Sequence, residues 1–232
     1  MTDELEAVLF DAGGVLWDPR PSQEEVFARE LARLGVHVDE ARLHEAVNGA
    51  DRLLDDEFAR LEAGDEAEFW RRYDGVVLEG LGVTVDGESF SKGLGVELRK
   101  VFAELGSWVR YPDAVPALEL ARSKGLTTGM VSNATELARR VLRHLDMERL
   151  FDLVVISDEV GVRKPDPRIF EMAVDLAGSS PSKTLFLGDK PATDIEGATR
   201  AGLRGVLVDR KDAFPDSGLT RIRGLDALEG LL

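Results

Sequence analysis

The sequence contains no cysteine and only three histidines among its 232 residues. That excludes a disulfide framework, a thiol nucleophile and cysteine-ligated metal. His37, His44 and His144 lack metal-ligand spacing and are expected at the surface or in packing. Positive charge is also scarce: 29 basic residues stand against 44 acidic ones, a formal net charge of −15. Nucleic acid is not an expected partner, because a phosphate backbone calls for a basic footprint. No run of 18 apolar residues occurs, so no membrane span is expected. The opening stretch M-T-D-E-L-E-A has neither the basic start nor the apolar run of a signal peptide. A cytoplasmic protein is the default expectation. No internal repeat or low-complexity tract is present. Trp17, Trp70 and Trp108 are expected in the core or at the hinge of an inserted unit, with Trp17 also a candidate for lining a substrate pocket. The acidic cluster Asp51–Glu57 reads as a solvated helix face.

What the chain does have is enough apolar content, 44% of residues, to bury a sizeable core. Short apolar runs recur at Ala7–Phe10, Thr127–Val131, Leu153–Ile156, Thr184–Leu187 and Gly205–Val208. They do not alternate with polar residues, which suits strands buried on both faces of a parallel sheet. Helical patterns come after several of them: Thr135–Leu145, Ala192–Ala201 and Asp226–Leu232. The expected fold is a doubly wound α/β core, Rossmann-like in its parallel sheet. The stretch from 19 to 105 breaks the alternation and carries only helical periods: Glu24–Leu34, Asp39–Ala63, Asp65–Leu81 and Gly87–Leu105. Within it, Val76–Val85 could also hold a short extended piece. The expected organisation is a core of residues 1–18 plus 106–232, with an all-helical insertion at 19–105 placed as a lid.

Ligands of open parallel sheets bind beyond the carboxyl ends of the strands. Asp11 stands at the first such end, Ser132 and Asn133 at the second, and Asp189 at the fourth, with Asp194 five residues on. Lys164 precedes a helix start at Pro167, with Arg163 a rival cation beside it. Three carboxylates would repel one another without a cation, and oxygen ligands with open positions suit Mg²⁺. A lysine eases that repulsion and holds phosphate as a point charge. Ser132 and Asn133 offer hydrogen bonds to an anion, although Ser132 could instead cap the next helix. Asp194 could instead only charge the first turn of the next helix in the chain. One carboxylate in such a site could accept a phosphoryl group as an aspartyl-phosphate.

Four stretches, V-L-F-D-A-G-G-V-L, V-S-N, V-R-K-P and L-G-D-K-P-A-T-D, occur in this order. Together they resemble the motifs of the haloacid dehalogenase superfamily, most of whose members are phosphatases, and the insertion resembles that family's type-1 helical cap. The resemblance implies Asp11 as nucleophile, Ser132 as a phosphate hydrogen-bond donor and Lys164 as the balancing cation. It also implies Mg²⁺ held by Asp11, Asp189, Asp194 and the backbone carbonyl of Gly13, with a small phosphorylated metabolite as substrate.

The sequence departs from that pattern at one position. Family phosphatases usually carry a second aspartate, the general acid and base, two residues after the first; here Gly13 occupies it. Three readings are open: a phosphatase for leaving groups that need little protonation, or whose proton comes from water or another residue; a metal- and phosphate-binding protein with weak turnover; or other chemistry at Asp11. The last includes 2-haloacid dehalogenation, against which the Asp189 and Asp194 pair counts, and a phosphosugar mutase, against which Gly13 counts. Asp18 is either a substitute acid or a turn residue before Pro19.

Overall fold

The computed structural model describes residues 4–61 and 65–232. Eight strands are present among them: β1 (Ala7–Phe10), β2 (Trp17–Pro19), β3 (Trp108–Arg110), β4 (Thr127–Ser132), β5 (Leu153–Ile156), β6 (Thr184–Gly188), β7 (Arg204–Val208) and β8 (Arg221–Ile222). The helices are α1 (Gln23–Arg33), α2 (Glu40–Ala59), α3 (Glu66–Leu81), α4 (Gly87–Ala103), α5 (Ala114–Ser123), α6 (Glu136–His144), α7 (Ser157–Val160), α8 (Pro167–Ala177) and α9 (Gly197–Arg200). Contacts divide the chain into two units, Met1–Asp18 with Val109–Leu232, and Pro19–Trp108.

The first unit is built on a six-stranded sheet in the order β5-β4-β1-β6-β7-β8, every pairing parallel. Its α/β architecture is the one the apolar runs predict. β1 lies in the middle, and Ala7, Val8, Leu9 and Phe10 are fully buried. A strand covered on both faces has no use for polar alternation, which is why this run is wholly apolar. Its neighbours hold it in register: Ala7 faces Thr127 and Thr184, and Phe10 faces Met130 and Leu187. The residues just past those pairs therefore emerge at one edge of the sheet. The chain runs outward on one side through β4 and β5, then returns to build β6, β7 and β8 on the other. β1 and β6 thus flank the switch point at which such sheets bind ligands. On one face, α8 seats Ile169, Phe170, Ala173 and Val174 against Leu9, Val131 and Phe186. Phe170 meets Phe186 edge to face at 5.0 Å, a favoured aromatic geometry.

The second unit is four helices around their own core. Phe27, Leu31, Val47, Leu54, Phe69, Val77 and Leu94 share one buried cluster, and Phe27 packs edge-on to Phe90 at 4.8 Å. Ser22 opens α1 with a capping box: its Oγ accepts from the Glu25 N–H at 3.2 Å, and Glu25 accepts from the Ser22 N–H at 2.6 Å. The second boundary falls at Trp108 rather than Leu105. Trp108 stacks on Phe102 at 5.7 Å and donates its indole N–H to the Phe102 carbonyl at 3.2 Å, which keeps it in the helical unit.

Several local expectations are corrected. The stretch Val76–Leu81 is helical, and it closes on a left-handed cap at Gly82 (φ 65°) rather than an extended piece. α2 ends at Ala59, where the Arg60 N–H turns back to Glu57; residues 62 and 63, also expected in that helix, lie outside the described residues. The pattern at Ala192–Ala201 is a π-helical turn over Pro191–Glu196 and then the short α9, and the last helix is a 3₁₀ helix over Leu225–Leu231. The acidic cluster is not wholly solvated: Asp55 is buried, and Asp51 accepts from the Tyr73 hydroxyl. Trp17 is buried, but Trp70 is 41% exposed and rests edge-on against Phe69 and Tyr73. His37 and His144 are exposed, and His44 is half-buried beside Asn48.

Asp74 is a buried carboxyl on α3, and burial pushes it up to about 6 against only a hydrogen bond from Ser91. A carboxyl raised in the folded state binds its proton more tightly there than in the unfolded chain. Stability is therefore lost as pH rises from about 4 through about 6. Asp74→Asn is expected to stabilise the protein by about 1–3 kcal/mol at pH 8 and to give little gain at pH 4. Denaturant midpoints of both proteins at the two pH values check this; an equal effect at both would contradict it.

Candidate active site

β1 delivers Asp11 directly to the sheet edge, where its N–H donates to the Leu187 carbonyl at 2.8 Å. The chain then doubles back at once. Leu16 and Trp17 N–H groups both bond to the Ala12 carbonyl, and the Gly14 N–H bonds to the Trp17 carbonyl at 3.1 Å. The Gly13 carbonyl takes part in none of these bonds. The two glycines differ. Gly14 has φ +71° and passes so close to Asp189 that an added Cβ would stand 2.5 Å from its Oδ2, so only glycine fits. A Cβ on Gly13 would meet nothing within 4 Å.

β6 delivers the next carboxylates. It ends at Gly188, and the π-helical turn folds Asp194 back onto the strand end. Asp194 Oδ2 accepts from the N–H groups of Asp189 at 3.0 Å and Lys190 at 3.1 Å. Gly188 permits this approach, since a Cβ there would lie 2.4 Å from the Asp194 Cβ. Lys164 comes from the loop before α8, whose start Asp166 caps. Its side chain is 2% exposed, and its ammonium lies 2.7 Å from both Asp11 Oδ1 and Asp194 Oδ1. Asn133, just past β4, grips the Lys164 backbone at both ends: its Oδ1 accepts from the Lys164 N–H and its Nδ2 donates to the Lys164 carbonyl, each at 2.8 Å. Ser132 is buried at the end of β4. It does not cap α6; Thr135 does, accepting from the Leu137 N–H.

The structure therefore brings Asp11, Lys164, Asp189 and Asp194 together, with Ser132 at the neighbouring strand end. Asn133 stands there too, with both ends of its amide on the Lys164 backbone. Sequence reasoning missed a second support. The Arg210 guanidinium pairs with both oxygens of Asp113 at 2.8 Å, donates to the Val15 carbonyl at 2.8 Å and stacks 3.8 Å over the Tyr111 ring. The Tyr111 hydroxyl donates to Asp18 Oδ2 at 2.5 Å. Asp18 is thus an anchor of the turn, its turn-residue reading. No pattern links positions 18, 111, 113 and 210 in the sequence.

The charge balance is uneven. Asp11, Asp189 and Asp194 each place a carboxylate oxygen within 4.8 Å of the others. Burial pushes the Asp11 carboxyl up, with the Asp194 charge adding to it and Lys164 opposing. Burial pushes Asp189 well above the ordinary carboxylate range, against Lys190 and with the charges of Asp194 and Asp11 adding. Burial would lower the Lys164 pKa, but the two carboxylates beside it outweigh burial and hold its proton on. One ammonium among three carboxylates leaves room for more positive charge. The donors are all hard oxygens, so a divalent cation such as Mg²⁺ fits what the site lacks. Both oxygens of Asp194 are already engaged, which makes Asp11 and Asp189 the side chains best placed to meet it.

A family model for haloacid dehalogenase-like hydrolases matches residues 5–202. The chain is 37% identical to a phosphoserine phosphatase of Thermus thermophilus over 137 residues, which are 56% of this chain and 55% of that protein, so it spans about half of that relative. It is 34% identical to a phosphatase of Mycobacterium tuberculosis across 98% of this chain and 97% of that one. It is 29% identical to an (S)-2-haloacid dehalogenase of Burkholderia cepacia across 93% and 88%. Among the described residues no helix is long and apolar enough to cross a membrane.

Proposed function

The chain belongs to the haloacid dehalogenase-like hydrolases, and from that premise we propose that it is a Mg²⁺-dependent phosphatase acting on a small phosphorylated substrate through an aspartyl-phosphate on Asp11. The observation that carries this reading is the buried Lys164 bridging Asp11 and Asp194 beside Asp189. Lys164 occupies Oδ1 of Asp11, which holds the carboxylate in one orientation and leaves its other oxygen to attack phosphorus. Ser132 donates its hydroxyl to a phosphoryl oxygen. Asn133 fixes the backbone of Lys164, and Asp194 fixes its ammonium. Asp11, Asp189 and the Gly13 carbonyl would hold Mg²⁺, with the charge of Asp194 alongside. The cation would neutralise phosphoryl oxygens against the carboxylates around them.

The test is hydrolysis of p-nitrophenyl phosphate with and without metal. EDTA is expected to abolish turnover, and added Mg²⁺ to restore it. Phosphate binding without turnover across a substrate panel would instead support the weakly catalytic binding protein. Gly13 and the dehalogenase relative favour a second reading, displacement of halide from carbon by Asp11. Chloride release from 2-chloropropionate in the presence of EDTA would establish it.

A further inference from the structure

Gly13 stands two residues past Asp11, where the family resemblance implies the general acid and base, so the turn after β1 offers no side-chain proton donor at that position. Its φ is unexceptional, and a Cβ added there meets nothing within 4 Å among the described residues. Two proton carriers near the turn are engaged elsewhere. The Lys164 ammonium is held between two carboxylates at 2.7 Å. The Tyr111 hydroxyl donates to Asp18, so these two groups are bonded to each other. Asp11 is needed as the nucleophile and Asp189 beside it as a charged ligand.

We infer that the substrates of this site are phosphates whose leaving oxygen departs as a stable anion, acyl phosphates above all. The inference rests on the phosphatase reading and narrows it. In the first step a bond forms between the Asp11 carboxylate oxygen and phosphorus, the bond from phosphorus to the leaving oxygen breaks, and its electron pair stays on that oxygen. With no donor, the oxygen leaves unprotonated. Carboxylic acids ionise near ~4 and phenols near ~10, while water does so only near ~15.7 and simple alcohols resemble it. An acyl phosphate also exchanges one carboxylic–phosphoric anhydride for another, since aspartyl-phosphate is itself an acyl phosphate. That exchange is close to balanced in energy and moves no proton. In the second step water attacks phosphorus, Asp11 departs as a carboxylate, and the proton of the water passes to the released phosphate or to solvent. The missing side chain at 13 leaves this step without a base as well, so phosphorylated Asp11 accumulates.

The experiment compares kcat/KM for acetyl phosphate, p-nitrophenyl phosphate, phenyl phosphate and glycerol phosphate with Mg²⁺, in wild type, Gly13→Ala and Gly13→Asp. Wild type is expected to use the first two at least ~10²-fold better than glycerol phosphate, general acid help being worth about 10²–10⁴-fold. Gly13→Ala keeps that ratio. Gly13→Asp raises glycerol phosphate hydrolysis by about 10²–10⁴-fold and flattens the series. Rapid quenching of wild type gives a burst of p-nitrophenolate equal to the enzyme present, with a phosphorylated peptide containing Asp11. If wild type hydrolyses glycerol phosphate within tenfold of p-nitrophenyl phosphate, another group supplies the proton; the inference is then overturned while the phosphatase reading stands. Folded protein that turns over none of the four overturns both.

Discussion

Asp11→Asn is expected to lower kcat on p-nitrophenyl phosphate by about 10⁴-fold or more, because the loss of a nucleophile removes the covalent step itself. The substitution is nearly isosteric. An asparagine keeps an oxygen for Lys164 at the position of Oδ1 and keeps the N–H to the Leu187 carbonyl, so the turn is retained. What it removes is the anionic oxygen that would bond to phosphorus. A neutral amide does not replace it. Since p-nitrophenolate leaves without a proton, this substrate isolates the nucleophile from the effect of glycine at position 13. The measurement is steady-state turnover, with circular dichroism to establish that the variant is folded and mass spectrometry of the quenched enzyme to show that no phosphorylated peptide forms. Retention of activity within tenfold would remove Asp11 from the proposed role.

The second large effect concerns stability. Lys164→Met is expected to cost about 3–5 kcal/mol at pH 8, the range for stripping a buried pair of one partner. Lys164 is 2% exposed and Asp194 1%, so two carboxylates would be left facing each other out of water. Burial already pushes the Asp11 carboxyl up against Lys164, and without that cation it holds its proton more tightly in the folded state than in the unfolded chain. The variant therefore regains stability as pH falls into the range where Asp11 protonates. Urea midpoints at pH 8 and pH 5 check this: the gap between wild type and variant narrows at the lower pH. A gap of equal size at both would mean that the packing of the lysine side chain, whose ammonium lies 5.5 Å from the centre of the Phe186 ring, dominates.

Five of the six strands of the sheet were legible because each carries an apolar run, which burial on both faces of β1, β4 and β6 favours; β8, an arginine and an isoleucine, is too short and too polar to show. The charged residues at their ends were legible for the complementary reason. An Asp after V-L-F or L-F-L-G is out of place in a core and in place at an edge. The roles that were not legible depend on pairing across the fold. Asn133 reads as one more polar residue at a strand end until its amide is seen on the backbone of Lys164, 31 residues away. Arg210 is an ordinary basic residue in the sequence, yet it ties Asp113, Tyr111 and Val15 together. The paired β2 and β3 have three residues each, too few for a period to show. In α2 the acidic run gave a charge pattern but not a direction, and Asp55 turned inward.

The position of β1 at the centre of its sheet has a consequence during synthesis. Its partner Thr127 comes 120 residues after Ala7, and Thr184 comes 177 residues after it. At about 5–20 residues per second, the ribosome takes roughly 6–24 s to supply the first neighbour and about 9–35 s to supply the second. The helical unit, local in its contacts, can condense in that interval. Ala7–Phe10 cannot, and it waits as an unpaired apolar strand, the kind of segment that recruits another chain or a chaperone. A circular permutant that opens the loop before β4 and delivers β1 after β6 would shorten that wait while keeping every strand pairing of the sheet.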